Sequence, residues 1–113
     1  MAVENWVSRE IEQLTEFRRD LHMNPELLYD VERTAKSVAD ALRAAGVDEV
    51  VEGVGRTGVV GVIRGQSNKS GRTIGLRADM DALPIDEVTG KPWASKVPGK
   101  MHACGHDGHT TML

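Results

Sequence analysis

Three of the chain's four histidines and its only cysteine fall within one short stretch, Met101-His102-Ala103-Cys104-Gly105-His106-Asp107-Gly108-His109. Imidazole and thiolate are the side chains that bind borderline-soft divalent ions best, and here they alternate with small residues that let the backbone bend around an ion. Whatever the chain folds into has to present these donors together. If the backbone at 104–106 is extended, Cys104 and His106 point the same way. If a helix begins at Asp107, His106 and His109 share a face. Asp107 is placed to accept the second ring N–H of a neighbouring ligand histidine and so set its tautomer. The plain alternative is a small buried cysteine among hydrogen-bonded histidines, and no paired CxxC zinc spacing is present. The density of donors favours the metal reading.

The rest of the chain reads as helices first and strands second. Over residues 5–22, Val7, Ile11, Leu14, Phe17 and Leu21 recur every three or four positions, an amphipathic helix that Pro25 stops near His22 or Met23. Asp30 is the expected cap of a second helix carrying Val31, Ala35, Val38, Leu42 and Ala45, with Gly46 as a left-handed terminator. Three β-rich runs come next, at 49–52, 59–63 and 73–77, the last two separated by a polar turn at 65–71. Residues 84–103, with three prolines, read as a loop joining two polar clusters, and 110–113 as the opening turns of a further helix. The segment Gly53-Val54-Gly55-Arg56-Thr57-Gly58 matches the dinucleotide fingerprint literally. The next residues, Val59-Val60-Gly61-Val62-Ile63, have the pattern of a strand and not of the helix that fold requires, so the glycines are read as turn residues.

The second polar cluster is Leu76-Arg77-Ala78-Asp79-Met80-Asp81-Ala82-Leu83-Pro84. In an extended chain Arg77, Asp79 and Asp81 share a face, and two neighbouring carboxylates repel unless a cation lies between them. They are either solvated acids at a strand end or the other half of a metal site.

A net charge of −3 with dispersed Lys and Arg offers no field for a phosphate backbone, which argues against nucleic acid as a partner. Neither an export signal nor an apolar run long enough to span a membrane is visible, so no membrane partner is expected. A lone cysteine fits a reducing, cytoplasmic setting.

With both clusters read, the sequence resembles the zinc-type aminoacylase and carboxypeptidase family, in its branch of hippurate hydrolases and auxin-conjugate amidohydrolases. Four blocks carry the likeness: Arg18-Arg19-Asp20-Leu21-His22 with Asn24-Pro25-Glu26-Leu27, Gly55-Arg56-Thr57-Gly58-Val59-Val60-Gly61, the cluster 76–84, and 101–109. The resemblance implies an α/β fold, the N-terminal portion of a zinc-exopeptidase-like catalytic domain, with two helices followed by a small mixed sheet. Residues 1–113 would be the first part of that domain, the lid domain and the second half lying outside them. It implies a centre of two divalent metal ions (Zn2+ or Mn2+, with Co2+ or Ni2+ also accepted), ligands Cys104 and His106, and Asp81 as a catalytic carboxylate just behind the metals. Asp79 stands where other branches have a ligand histidine, and its contact with metal is left open; His102 and His109 receive no ligand role.

The implied activity is hydrolysis of the amide of a small-molecule N-acyl or N-aroyl amino acid. The family's general base, a glutamate in a Glu-Glu pair, and its remaining ligands lie downstream of residue 113, so the short chain is expected to be inactive alone. The competing expectations are a non-catalytic metal-binding or interaction module and an incomplete gene product.

Overall fold

The computed structural model describes residues 2–113, with side chains from Asn5 onward. Its elements are α1 (Ala2–Met23), α2 (Glu32–Ala44), β1 (Glu49–Val54), β2 (Gly58–Val62) and α3 (His106–Met112). The α/β order expected from periodicity is therefore present. Helix α2 packs on the β1–β2 hairpin and α1 on α3, giving two packed pairs joined through the irregular segments. The buried apolar residues, Leu21, Val31, Ala35, Ala39 and Ala82, come from α1, α2 and the 76–84 cluster. Val7 and Ile11, on the apolar stripe of the first turns of α1, stay exposed, so that stripe is covered only towards its C-terminal end.

Both ends of α2 show how local chemistry sets the boundaries. At the C-terminus Gly46, at φ 78°, donates to the Arg43 carbonyl at 3.0 Å, and Val47 donates to the Leu42 carbonyl at 3.3 Å. That is the paired Schellman arrangement that glycine makes cheap. At the N-terminus the expected cap is corrected: Asp30 forms no cap, and Val31 occupies the position without a side-chain bond. The orphan amides are satisfied by Glu26, whose carboxylate accepts from the Arg33 N–H at 3.1 Å and from the Thr34 N–H and hydroxyl, each at 2.7 Å. Asp30 is turned outward to pair with Arg56.

The hairpin is antiparallel, with Glu49 opposite Val62, Val51 opposite Val60, and a bulge between Glu52 and Val54. Gly55 takes positive φ in the turn and Gly53 does so at the bulge within β1, and β2 opens at Gly58, so the fingerprint-like segment closes a hairpin and starts no helix. A side chain at 58 would place its Cβ 2.5 Å from the Val54 carbonyl, which explains a glycine there.

The sheet departs from the expected mixed form in having two antiparallel strands, and residues 73–77 form no strand. Ile74 and Leu76 are 85% and 76% exposed. Alternation makes a strand only where a neighbouring edge accepts its hydrogen bonds, and among the described residues nothing pairs with this stretch. Residues 84–103 are irregular, as their prolines imply.

Glu26→Ala is expected to lower stability by about 1–2 kcal/mol. Asp30→Ala, which removes only an exposed ion pair, should cost less than about 0.5 kcal/mol. Urea unfolding of both variants checks the contrast.

Candidate metal centre

Three segments distant in sequence are stitched side by side before any donor is placed. The Ala82 N–H donates to the Glu26 carbonyl at 2.7 Å, and Leu83 and Met101 exchange backbone bonds at 2.9 and 3.0 Å. The cluster 76–84 thus runs between the turn after α1 and the strand-like approach to His102. From the far side, the Thr110 hydroxyl of α3 donates to the Asp79 carbonyl at 2.9 Å.

This brings His106 onto Asp81. Nδ1 lies 2.9 Å from the Asp81 carbonyl oxygen and 3.0 Å from its Oδ1. Both partners only accept, so Nδ1 carries a proton, and Nε2 is left on the other edge of the ring. Asp79 Oδ2 stands 3.7 Å from Nε2, while the other oxygen of that carboxylate, Oδ1, is paired with Arg77. His109 lies one turn on in α3, with its ring 5.6 Å from that of His106, the shared face that helical spacing requires.

Two expectations for this stretch are corrected. Gly105 is left-handed (φ 81°, ψ 18°) and His106 already belongs to α3, so the backbone between Cys104 and His106 is not extended. Their relative direction is set by a turn and not by strand alternation. Asp107 accepts no proton from His106; Asp81 takes that role. Cys104 is exposed with a free thiol, at the mouth of a cleft of about 530 Å³ that Arg18, Trp93 and Met101 also line. Among the described residues no group of three or more His, Cys, Asp and Glu side chains is arranged to hold a metal ion as it stands. The chain brings Asp79, Asp81 and His106 together, and leaves Cys104 facing solvent.

Beside this lies a polar cluster that local sequence patterns barely announce. The Asp107 carboxylate is fully buried, with Oδ2 2.8 Å from Arg18 Nε and 2.8 Å from His22 Nδ1. The other ring nitrogen of His22 is 3.1 Å from Glu87 Oε2, whose second neighbour is the Ser95 N–H at 2.7 Å. Burial pushes the Asp107 carboxyl up, but His22, Arg18 and the Gly108 amide together hold it below the usual range. Glu87 likewise is raised by burial and lowered further by bonds from Thr89, Ser95 and His22, for a net depression. His102 is buried with no hydrogen-bond partner on either ring nitrogen among the described residues, and burial, with smaller contributions from His22 and His106, pushes its pKa down against the pull of Asp107 and Asp81. The one advance sign of this cluster is Arg18 and His22 at i and i+4 on one helix face. Their partners are 89 and 85 residues away, beyond any local pattern.

A carboxyl whose folded pKa is depressed adds stability that is fully present above its unfolded value, about 4, and is lost as pH falls through the folded value. The contribution of these two carboxyls should therefore hold down to about pH 4 and drop below it, whereas the depressed His102 takes stability away as pH falls below its unfolded value of about 6.5, so the urea midpoint should decline in two stages. Glu87→Gln is expected to cost about 2 kcal/mol at neutral pH and to flatten that acid limb.

A family model described as Peptidase family M20/M25/M40 matches residues 75–113, the part that holds both clusters. Thermostable carboxypeptidase 2 of Saccharolobus solfataricus is 55% identical over 112 residues, 98% of this chain and 26% of that protein. Hippurate hydrolase of Campylobacter jejuni is 52% identical over 101 residues, 89% of this chain and 26% of that protein. The crystal structure of Bacillus subtilis YXEP, described as a dinuclear metal binding peptidase from the M20 family, superposes with a TM-score of 0.81 at 44% identity, covering 88% of this chain and 28% of that one. The chain spans about a quarter of the length of these relatives. Identity at this level across both sequence and fold means that the chain belongs to the M20 peptidase family.

Proposed function

We propose that this chain supplies part of the centre of a metal-dependent amidohydrolase acting on N-acyl or N-aroyl amino acids, with Cys104 and His106 as ligands and Asp81 as the carboxylate that orients His106. The observation that carries the reading is the His106 ring, whose Nδ1 is committed to Asp81 while Nε2 has the Asp79 carboxylate 3.7 Å away. A histidine that ligates a metal ordinarily spends its second nitrogen in this way. The donor chemistry fits: a thiolate and an imidazole suit Zn2+, and the neighbouring carboxylates admit Mn2+, Co2+ or Ni2+. The description of the Bacillus subtilis neighbour as dinuclear supports two ions, and the names carboxypeptidase and hippurate hydrolase support an amide next to a carboxylate as the bond cut.

Divalent ions held by Cys104 and His106 would supply Lewis acidity towards the amide carbonyl and towards water. The chain's own part is to hold and aim. Asp81 keeps the His106 ring in one tautomer. Asp79 places negative charge beside Nε2, which favours a cation, and Arg77 keeps that carboxylate from swinging away. The exposed Cys104 thiol is reachable by an ion arriving from solvent. The general base expected from the resemblance is not among these 113 residues.

Joined to the remaining sequence of a relative such as the hippurate hydrolase and supplied with Zn2+ or Mn2+, the chain is expected to hydrolyse N-benzoyl and N-acetyl amino acids. Asp81→Ala should lower kcat/KM by about 10- to 100-fold, and Cys104→Ser by more. Unchanged turnover in Cys104→Ser would contradict the ligand assignment. The 113-residue chain alone should show none, and activity there that disappears in Cys104→Ser would contradict the need for a base from elsewhere.

A further inference from the structure

His22, the histidine outside the 101–109 stretch, sits at the hub of the buried cluster. Its ring faces Asp107 with one nitrogen, at 2.8 Å, and Glu87 with the other, at 3.1 Å. An ionised carboxylate can only accept, so each of these bonds needs a proton on the nitrogen side. We propose that His22 is a positioning residue: a doubly protonated imidazole strung between Glu87 and Asp107 that fixes the first turn of α3 and, through it, the ring of His106 against Asp81. Its consequence for metal binding rests on the ligand reading of His106.

Three observations lead there. First, in this form Arg18 and a cationic His22 face the two carboxylates of Asp107 and Glu87, whose side chains are 0% and 2% exposed. A neutral ring would turn a lone pair towards one of these two carboxylates and lose that hydrogen bond. Second, Asp107 directly follows His106, so the clamp acts on the peptide that sets where the His106 side chain leaves α3. A helix of 7 residues is too short to hold that position unaided. Third, the titratable groups around His22 come from each element packed against it, with Lys91 and Cys104 lining the same cleft. Arg18 lies one turn back on α1, Glu87 comes from the 84–103 loop, Asp107 from α3, and His102, 6.3 Å away ring to ring, has no partner that would hold a proton on it.

Long-range 15N–1H ring spectra of the labelled 113-residue chain, at neutral pH and without metal, read both histidines directly. Both His22 nitrogens should be protonated, and His106 should show a single tautomer with its proton on Nδ1. In His22→Gln, with far-UV circular dichroism retained, His106 should become a tautomer mixture, and Zn2+ affinity should fall about tenfold. A neutral His22 in the wild-type chain overturns the proposal, as does a variant in which His106 keeps its single tautomer. If His22→Gln does not fold, the wild-type ring spectrum decides by itself. A wild-type chain that binds no Zn2+ would defeat the ligand reading, while the ring spectra would still decide the positioning role.

Discussion

A carboxylate shut away from water has to be answered by positive charge, and Asp107 is answered twice, by Arg18 and by His22. These two lie a turn apart on α1, so one buried oxygen pins the C-terminal end of the longest helix to the opening of the shortest. The apolar core is too small to do this alone: its fully buried members are mostly alanines together with Leu21 and Val31. Where α3 sits, and hence where His106 sits, depends on this polar junction more than on hydrophobic packing. Breaking such a group by removing one partner costs about 3–5 kcal/mol in buried settings, a large share of what a domain this size has to spare.

Around that junction the backbone places donors by ordinary means. The segment 76–84 is held on one side by Glu26 and on the other by Met101, which carries Asp79 and Asp81 to the opening of α3 without a formal strand. Glu26 serves both sides of the assembly. Its carbonyl receives Ala82 and its carboxylate receives the first amides of α2, so the residue that starts the second helix also helps to seat the carboxylates beside His106. Scaffold and site share residues here, and variants at Glu26 belong to both.

Much of this is legible in the sequence because it is periodic or local. The apolar spacing of α1 and α2, the left-handed Gly46 and the hairpin connection around Gly55 are decided by residues within a few positions of one another, and they fold as written. The dense His and Cys stretch marks the right part of the chain. Local pattern does not carry anything that depends on a distant partner. Asp30 has the chemistry of a cap, yet Glu26 reaches the amides first. Residues 73–77 have the alternation of a strand but no edge to join among the described residues. Asp107 is suited by spacing to partner a ligand histidine, whereas that partner is Asp81, brought in from 25 residues away. The two-residue spacing of Cys104 and His106 suggests extended geometry, and the left-handed Gly105 sets a turn there instead.

A cation held jointly by the thiolate of Cys104 and the Nε2 of His106 is what the proposed centre turns on. Zinc K-edge X-ray absorption on the chain loaded with one equivalent of Zn2+ reads those neighbours without reference to activity. A sulfur scatterer at about 2.3 Å together with imidazole nitrogen at about 2.0 Å is the predicted coordination. Light oxygen and nitrogen atoms alone, with no sulfur, would contradict it.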